Sequence, residues 1–358
     1  MDGADENVEH GEGFVAAPFR APRRLWWLGS VALLVIAAVV AVYRRHDLAA
    51  ALHLIASVRL PRLVLVAGFQ AASLGALIAL QQWLLRMGGA RLRLRVVGTI
   101  VLAANAVAGA LPGGAAFAAA WMFTQLRRRG VGQVLAGAVL AVSGVLSVAA
   151  LFALLVAGAL TSGSAGLGAL RPVVLGLVAV LSVMVGAVAG LSRFELVRRR
   201  FWRLWRRLGV RSQQLLNIED GLLALVRHVH AVRPGLRPWW QPFTLALLNW
   251  ACDAACLLAC AWGLGIGVPW RGILVAYTLT QMTGSLRLTP GGLGVVEASL
   301  TALLVLYGLR TDQAIAVTLL YRTASYWALQ PIGWACWLGL TFSSRRANHR
   351  AGPDRRTG

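Results

Sequence analysis

The sequence predicts an all-α polytopic membrane protein of about eight helical units, two of them broken or re-entrant and arranged as an inverted repeat. Three observations carry this: scarce charge, long apolar runs, and arginines gathered at the ends of those runs. Of 358 residues, 58% are hydrophobic and only 13% charged, against about 25% charged in a soluble domain. Residues 25–42, 62–85, 134–160, 173–191 and 243–262 are almost free of ionised groups. Each approaches the roughly 20 apolar residues that cross a hydrocarbon core, and soluble cores use shorter runs. The net charge of +22 does not indicate nucleic acid, because all 35 Lys+Arg positions are arginine and they flank the apolar spans. That is the placement a membrane protein needs on its cytoplasmic side.

In chain order, residues 1–24 run from acidic (Asp2, Asp5, Glu6, Glu9, Glu12) to basic (Arg20, Arg23, Arg24) and read as a disordered cytoplasmic tail. Residues 25–342 form the transmembrane domain. The run at 25–42 is too long for a signal-peptide core and has no small-residue cleavage site, so it counts as the first span. Segment 193–240 is basic. Within it Phe201, Leu204, Trp205 and Leu208 fall at i, i+3, i+4 and i+7, with Arg199, Arg203, Arg206 and Arg207 around them. It reads as a cytoplasmic amphipathic segment on the lipid surface, either gathering anionic lipid or serving as a plain positive-inside anchor. Residues 343–358 form a basic cytoplasmic tail. Both termini then lie inside a plasma membrane, as do Arg91–Arg95 and Arg127–Arg129. Arg44, Arg45, Arg59 and Arg62 fall on the outer side against the rule; Arg44 and Arg62 are placed to snorkel at span ends.

Two segments resist being single spans. Residues 96–123 contain Leu111-Pro112-Gly113-Gly114, and residues 272–308 contain Thr289-Pro290-Gly291-Gly292-Leu293-Gly294. Proline removes a backbone donor and clashes with the preceding turn, and glycine pairs loosen what remains. Each segment therefore reads as helix, break, helix. Pro112 precedes Gly130, and Pro290 precedes Gly308, by the same 18 residues, and Gln133 or Gln313 leads into the following span. The topology sends the first hairpin in from the cytoplasm and the second from outside. This is an inverted repeat with cores at about 96–160 and 271–341, as in many transporter folds. Unpaired backbone survives in a membrane only beside protein or a polar cavity, so the breaks are the expected substrate site.

The string Pro290-Gly291-Gly292-Leu293-Gly294-Val295-Val296-Glu297-Ala298, with Gly308 and Tyr321-Arg322 behind it, resembles the flippase-like transmembrane domain of lysylphosphatidylglycerol synthases. Asn105, Leu111-Pro112-Gly113-Gly114 and Gly130 resemble that domain's first repeat. The resemblance covers roughly residues 25–342. It implies a protein that moves a lipid-linked substrate across the bilayer; in full-length synthases the domain flips aminoacylated phosphatidylglycerol made by a cytoplasmic catalytic domain. This chain ends shortly after its last span, so aminoacyl transfer, and enzyme activity generally, is not expected of it, and a separate envelope-lipid synthase is a candidate partner. Many relatives also carry an acidic residue after the first break and an arginine in the next span. Here those places read Ala115, Ala116 and Phe117, then Val142 and Ser143.

Glu297 and Asp253 are the carboxylates deepest in apolar sequence, where a charge costs a few kcal/mol and usually faces a partner or cavity. Glu297 either complements its own helix N-terminus or serves the substrate. Asp253 either pairs with an arginine, bonds its own backbone, or serves the substrate. Arg287 and Arg322 are candidate phosphate holders, because guanidinium matches phosphate bidentately and the helix start after Pro290, Gly291 and Gly292 adds backbone donors. Their alternative is an ion pair with Glu297 or Asp253. Asn105, Gln281 and Thr283 either line the same site or make ordinary interhelical hydrogen bonds. Pro112, Gly113 and Gly114 complete the predicted substrate-binding set. Cys252, Cys256 and Cys260 share a helix face but lack a histidine in any span to make a metal set, so no metal and no cofactor is expected. The function predicted is movement of an anionic phospholipid or lipid-linked head group between leaflets. The alternatives are a lipid-modifying transferase and a non-catalytic partner of an envelope-lipid enzyme.

Overall fold

The computed structural model describes residues 58–110, 113–167, 237–267, 272–285 and 289–350, with a few isolated positions besides. The tail 1–24, the span at 25–42, most of that at 173–191, and the basic segment with Arg199, Arg203, Arg206 and Arg207 lie outside the described residues. So do Leu111, Pro112 and Arg287.

Among the described residues the chain is all helix. In order come α1 (Leu60–Met87), α2 (Leu94–Ala110), α3 (Gly114–Arg127), α4 (Gln133–Leu167), α5 (Arg237–Gly263), α6 (Ile273–Ser285), a 3-10 turn (Pro290–Gly292), α7 (Val295–Leu306), α8 (Thr311–Arg322), a π-turn (Thr323–Trp327) and α9 (Leu329–Arg350). Three stretches are long and apolar enough to cross a membrane: Leu60–Met87, Gln133–Ser162 and Trp239–Gly263. They correspond to the predicted spans at 62–85, 134–160 and 243–262. Helices α2, α3, α6 and α7 have 17, 14, 13 and 12 residues. At about 1.5 Å per residue none of these four reaches across a core of about 30 Å. Both predicted breaks are therefore present, each between two short helices.

The repeat is written in the backbone. Gly113 has φ 66° and ψ 14°; Gly291 has φ 63° and ψ 10°. Both occupy the left-handed region that glycine enters without strain. Gly130 and Gly308 also have positive φ, and each ends its short helix with a bond from the next residue back over the last turn. Val131 N–H donates to Leu126 O at 3.2 Å, and Leu309 N–H donates to Leu304 O at 3.1 Å. These are the paired bonds of a glycine-terminated helix. Helices α4 and α8 start at 133 and 311, so break, cap and next helix recur at one displacement of 178 residues (113 to 291, 130 to 308, 133 to 311).

The halves are inverted. Helices α1 and α5, which precede the two breaks, run antiparallel. Arg62 Nη1 near the start of α1 donates to Gly263 O at the end of α5 (2.9 Å). Ser73 meets Asn249 at mid-length (3.1 Å), and Trp83 Nε1 donates to Gln241 Oε1 at the opposite end (3.0 Å). The first core gathers Leu84 and Leu85 of α1, Val97 and Ile100 of α2, Leu126 of α3, and Ala136 and Val139 of α4, with Leu340 of α9 against it. The second gathers Val66 of α1, Cys256 and Leu257 of α5, Ile273 and Tyr277 of α6, and Leu300 and Leu304 of α7. Each core holds the mouth of one hairpin, and the two lie at opposite ends of α1. Arg91–Arg95 and Arg127–Arg129 share the first end. Arg62, predicted to snorkel, has a defined partner: it caps the C-terminus of α5 and lies 5.2 Å from the Trp262 ring, where a cation suits the helix dipole. Exposed Val64, Leu65, Val145, Val148 and Leu248 face outward, as lipid requires.

Candidate functional site

The site begins with what a broken helix leaves unpaired. Pro290 opens the turn, and Gly292 N–H donates to Thr289 O at 3.0 Å. Helix α7 then restarts, and Glu297 in its first turn folds back so that Oε2 accepts the Gly294 N–H at 2.7 Å. This is one half of a capping box. The other oxygen turns to α8, where Arg322 Nε donates to Glu297 Oε1 at 2.6 Å. Arg322 also donates from Nη2 to the Gly291 carbonyl at 2.9 Å. One arginine thus ties down both the carbonyl freed by the break and the acid that caps the new helix. Both offered readings of Glu297 hold together: it caps its helix, and it is half of an ion pair. Arg322 is buried in this pair.

After Arg322 the helix widens. Ala328 N–H reaches back five residues to Thr323 O at 2.8 Å, a π-type bond that inserts a residue into the turn. Tyr326 lies under Arg322, whose guanidinium carbon sits 4.5 Å from the ring centroid. Tyr326 Oη donates onward to Gly109 O, at the end of α2, at 2.9 Å. A Cβ on Gly291 would collide with the same Tyr326 hydroxyl, and a Cβ on Gly109 would collide with Gln330 and press on Tyr326. The tips of the two hairpins, entering from opposite ends, therefore meet on one residue. A Cβ on Gly114 would collide with the Ala108 carbonyl, so the first hairpin also closes tightly at its tip.

A second polar cluster lies one residue away along α8. Asp253 on α5 is buried, and its Oδ2 accepts from Tyr277 Oη (2.7 Å), Tyr321 Oη (2.7 Å) and Gln281 Nε2 (2.8 Å). The expectation that Asp253 pairs with an arginine or bonds its own backbone is thereby corrected. Its partners are neutral hydroxyls and an amide on α6 and α8, with the Gln70 amide of α1 beside them. Adjacent residues of α8 hold both carboxylates: Tyr321 holds Asp253, and Arg322 holds Glu297.

Of the predicted substrate-binding residues, the structure brings together Gly291, Glu297 and Arg322, with the Pro290 turn beside them. Gly113 and Gly114 form the other hairpin tip. Asn105 is half-buried on α2, four residues and one helical turn before Gly109. Gln281 makes interhelical hydrogen bonds, as one of its two readings held. Thr283 Oγ1 donates to its own helix at Thr280 O (2.8 Å) and lies 3.4 Å from the Ser299 hydroxyl of α7, an interhelical contact. The cysteines are free, and no group of three metal-ligating side chains occurs among the described residues. Tyr326 was missed; an aromatic four residues after an arginine on one helix was the available signal.

A profile of the lysylphosphatidylglycerol synthase TM region matches residues 26–333. The chain belongs to that family. Among curated relatives, a UPF0104 membrane protein of Methanothermobacter thermautotrophicus is 27% identical over 108 residues, covering 29% of this chain and 32% of the relative. A further match to a UPF0104 membrane protein of the same organism is 32% identical over 91 residues, 25% of this chain and 26% of the relative. The matched parts span a third or less of those relatives. The family match covers both hairpins, and this family member keeps the break geometry in each while carrying the charged pair in one.

Proposed function

We propose that this protein moves an anionic phospholipid or lipid-linked head group between the leaflets of the cell membrane, with both termini cytoplasmic. The observation that carries the reading is the meeting of two half-length hairpins, from opposite ends, on the Arg322–Tyr326 turn. A helix pair that stops at mid-depth leaves backbone groups that need polar company. In this protein that company includes a charged pair whose arginine is a natural phosphate ligand. A head-group phosphate reaching the turn from either side competes with Glu297 for Arg322, while Glu297 keeps its bond to Gly294. Arg287, by sequence close to the same turn, supplies a second cation.

The test is leaflet exchange of labelled anionic and aminoacylated phospholipids in proteoliposomes, comparing the unmodified protein with Glu297→Gln and Arg322→Gln. Exchange by the unmodified protein and its loss in both variants is the expected result. Exchange that proceeds unchanged in both variants overturns the site. No exchange of any lipid transfers the weight to a non-catalytic role beside an envelope-lipid synthase.

A further inference from the structure

The lipid path uses Glu297 and Arg322 and leaves Asp253 unexplained. This carboxyl is 7% exposed in the middle of α5, a helix built to cross the membrane. Every described element around it offers neutral groups. Tyr277 and Gln281 come from α6 and Tyr321 from α8, and Gln70 of α1 is within hydrogen-bonding reach. The titratable groups facing it are those two tyrosines and Cys252, Cys256 and Cys260 of its own helix. No arginine among the described residues contacts it. A carboxylate held in a membrane without a cation is expensive, and taking up a proton removes the charge.

The surroundings can satisfy both forms of the acid. Three donors converge on Oδ2, which suits the ionised form. Gln70, itself 7% exposed, has an Oε1 with no hydrogen-bond partner among the described residues. In this orientation Gln70 reaches the carboxylate as a donor; a protonated carboxyl is itself a donor, and a turn of the Gln70 amide presents the unpartnered Oε1 to it. Gln81, on the same helix, also has an Oε1 unpartnered among the described residues, but its neighbour is the Ser143 hydroxyl. Gln70 differs in that its amide adjoins a group that gains a donor by taking up a proton.

We propose that Asp253 is a proton-binding site, loaded and emptied once per transport cycle and coupled through α8 to the Arg322–Glu297 pair. Tyr321 and Arg322 are consecutive, so a change in how strongly Tyr321 is held at Asp253 is felt directly at the arginine. Protonation weakens the pull of Oδ2 on the Tyr321 hydroxyl and frees the end of α8 next to the π-turn. The coupling half of this inference rests on the translocation reading; the proton site does not.

Infrared titration of the purified protein in lipid nanodiscs tests the site without any transport. The expected result is a carboxylic-acid carbonyl band that appears as pH falls in the unmodified protein and in Glu297→Gln, is absent in Asp253→Asn, and shifts its midpoint in Gln70→Met. Absence of an Asp253-dependent band at every pH where the protein stays folded overturns the proposal. Proteoliposomes with an imposed pH gradient and clamped potential then test coupling. One proton per lipid shifts the steady-state leaflet ratio by up to about tenfold per pH unit, and Asp253→Asn abolishes that shift. A Glu297-dependent exchange that ignores the pH gradient, or follows a sodium gradient instead, overturns coupling while translocation stands. A titrating Asp253 band in a protein that exchanges no lipid supports the proton site and overturns the translocation reading.

Discussion

The two halves of this molecule share a backbone and differ in charge. Gly113 and Gly291 adopt nearly the same dihedrals, and the helix ends and restarts that follow them keep one displacement. At that displacement Glu297 corresponds to Ala119, Arg322 to Gly144, and Tyr321 to Ser143. These first-half positions are uncharged, as are Ala115, Ala116, Phe117, Val142 and Ser143 around them. Where the second half joins α5 to α8 through Asp253 and Tyr321, the first half joins α1 to α4 through Gln81 and Ser143 at 3.0 Å. The first half therefore shows that a broken hairpin of this geometry holds together on glycine, apolar packing and neutral hydrogen bonds. The charges of the second half are not needed to make the break, which leaves them available for function.

The comparison can be broken most sharply at the ion pair. Glu297→Gln leaves the buried Arg322 unmatched and should cost about 3–5 kcal/mol of stability, seen as a lowered melting temperature in detergent; Arg322→Gln leaves the half-buried Glu297 with its Gly294 bond and should cost less. The double variant, which makes the second half as neutral as the first, should recover most of that stability and still exchange no lipid. A double variant as unstable as the singles would mean the charges hold the fold.

Next in size is the glycine contrast. Gly113→Ala meets open space and costs only the left-handed backbone, about 1–2 kcal/mol. Gly291→Ala pays the same strain and also collides with Tyr326, adding roughly 1–3 kcal/mol and disturbing exchange. Equal losses in thermal unfolding would erase the difference between the tips.

Tyr326→Phe tests whether the tips are tied to each other. It keeps the ring under Arg322 and removes the bond to Gly109 O, for a loss of about 1–2 kcal/mol. Hydrogen–deuterium exchange at the end of α2 should rise while that at α7 stays level. The smallest effect belongs to Ser143→Ala, a lost interhelical bond of about 0.6 kcal/mol with lipid exchange unchanged. A large loss of exchange there would give the first half a functional share it is not assigned here.

Much of the fold was legible because a bilayer imposes length and composition on anything that crosses it. The spans at 62–85, 134–160 and 243–262 were visible from apolar run length, and both breaks from Pro-Gly-Gly. The repeat was visible from its spacing, since proline and glycine act locally. The candidate site was legible in its residue types and not in its pairings. Arg322 and Glu297 could be named, but phosphate holder and ion-pair partner call for the same chemistry. The neutral cage around Asp253 and the tie through Tyr326 had no comparable local signature.

The sequence alone determined that this chain lives in a membrane, where its helices break, and that its halves are related, because each of these follows from forces acting along the chain. The tertiary structure decided which charge meets which. Glu297 and Arg322 are 25 residues apart, Asp253 and Tyr321 are 68 apart, and Gly109 and Tyr326 are 217 apart. Contacts across such separations are set by how the helices pack, and no local pattern of residues encodes them.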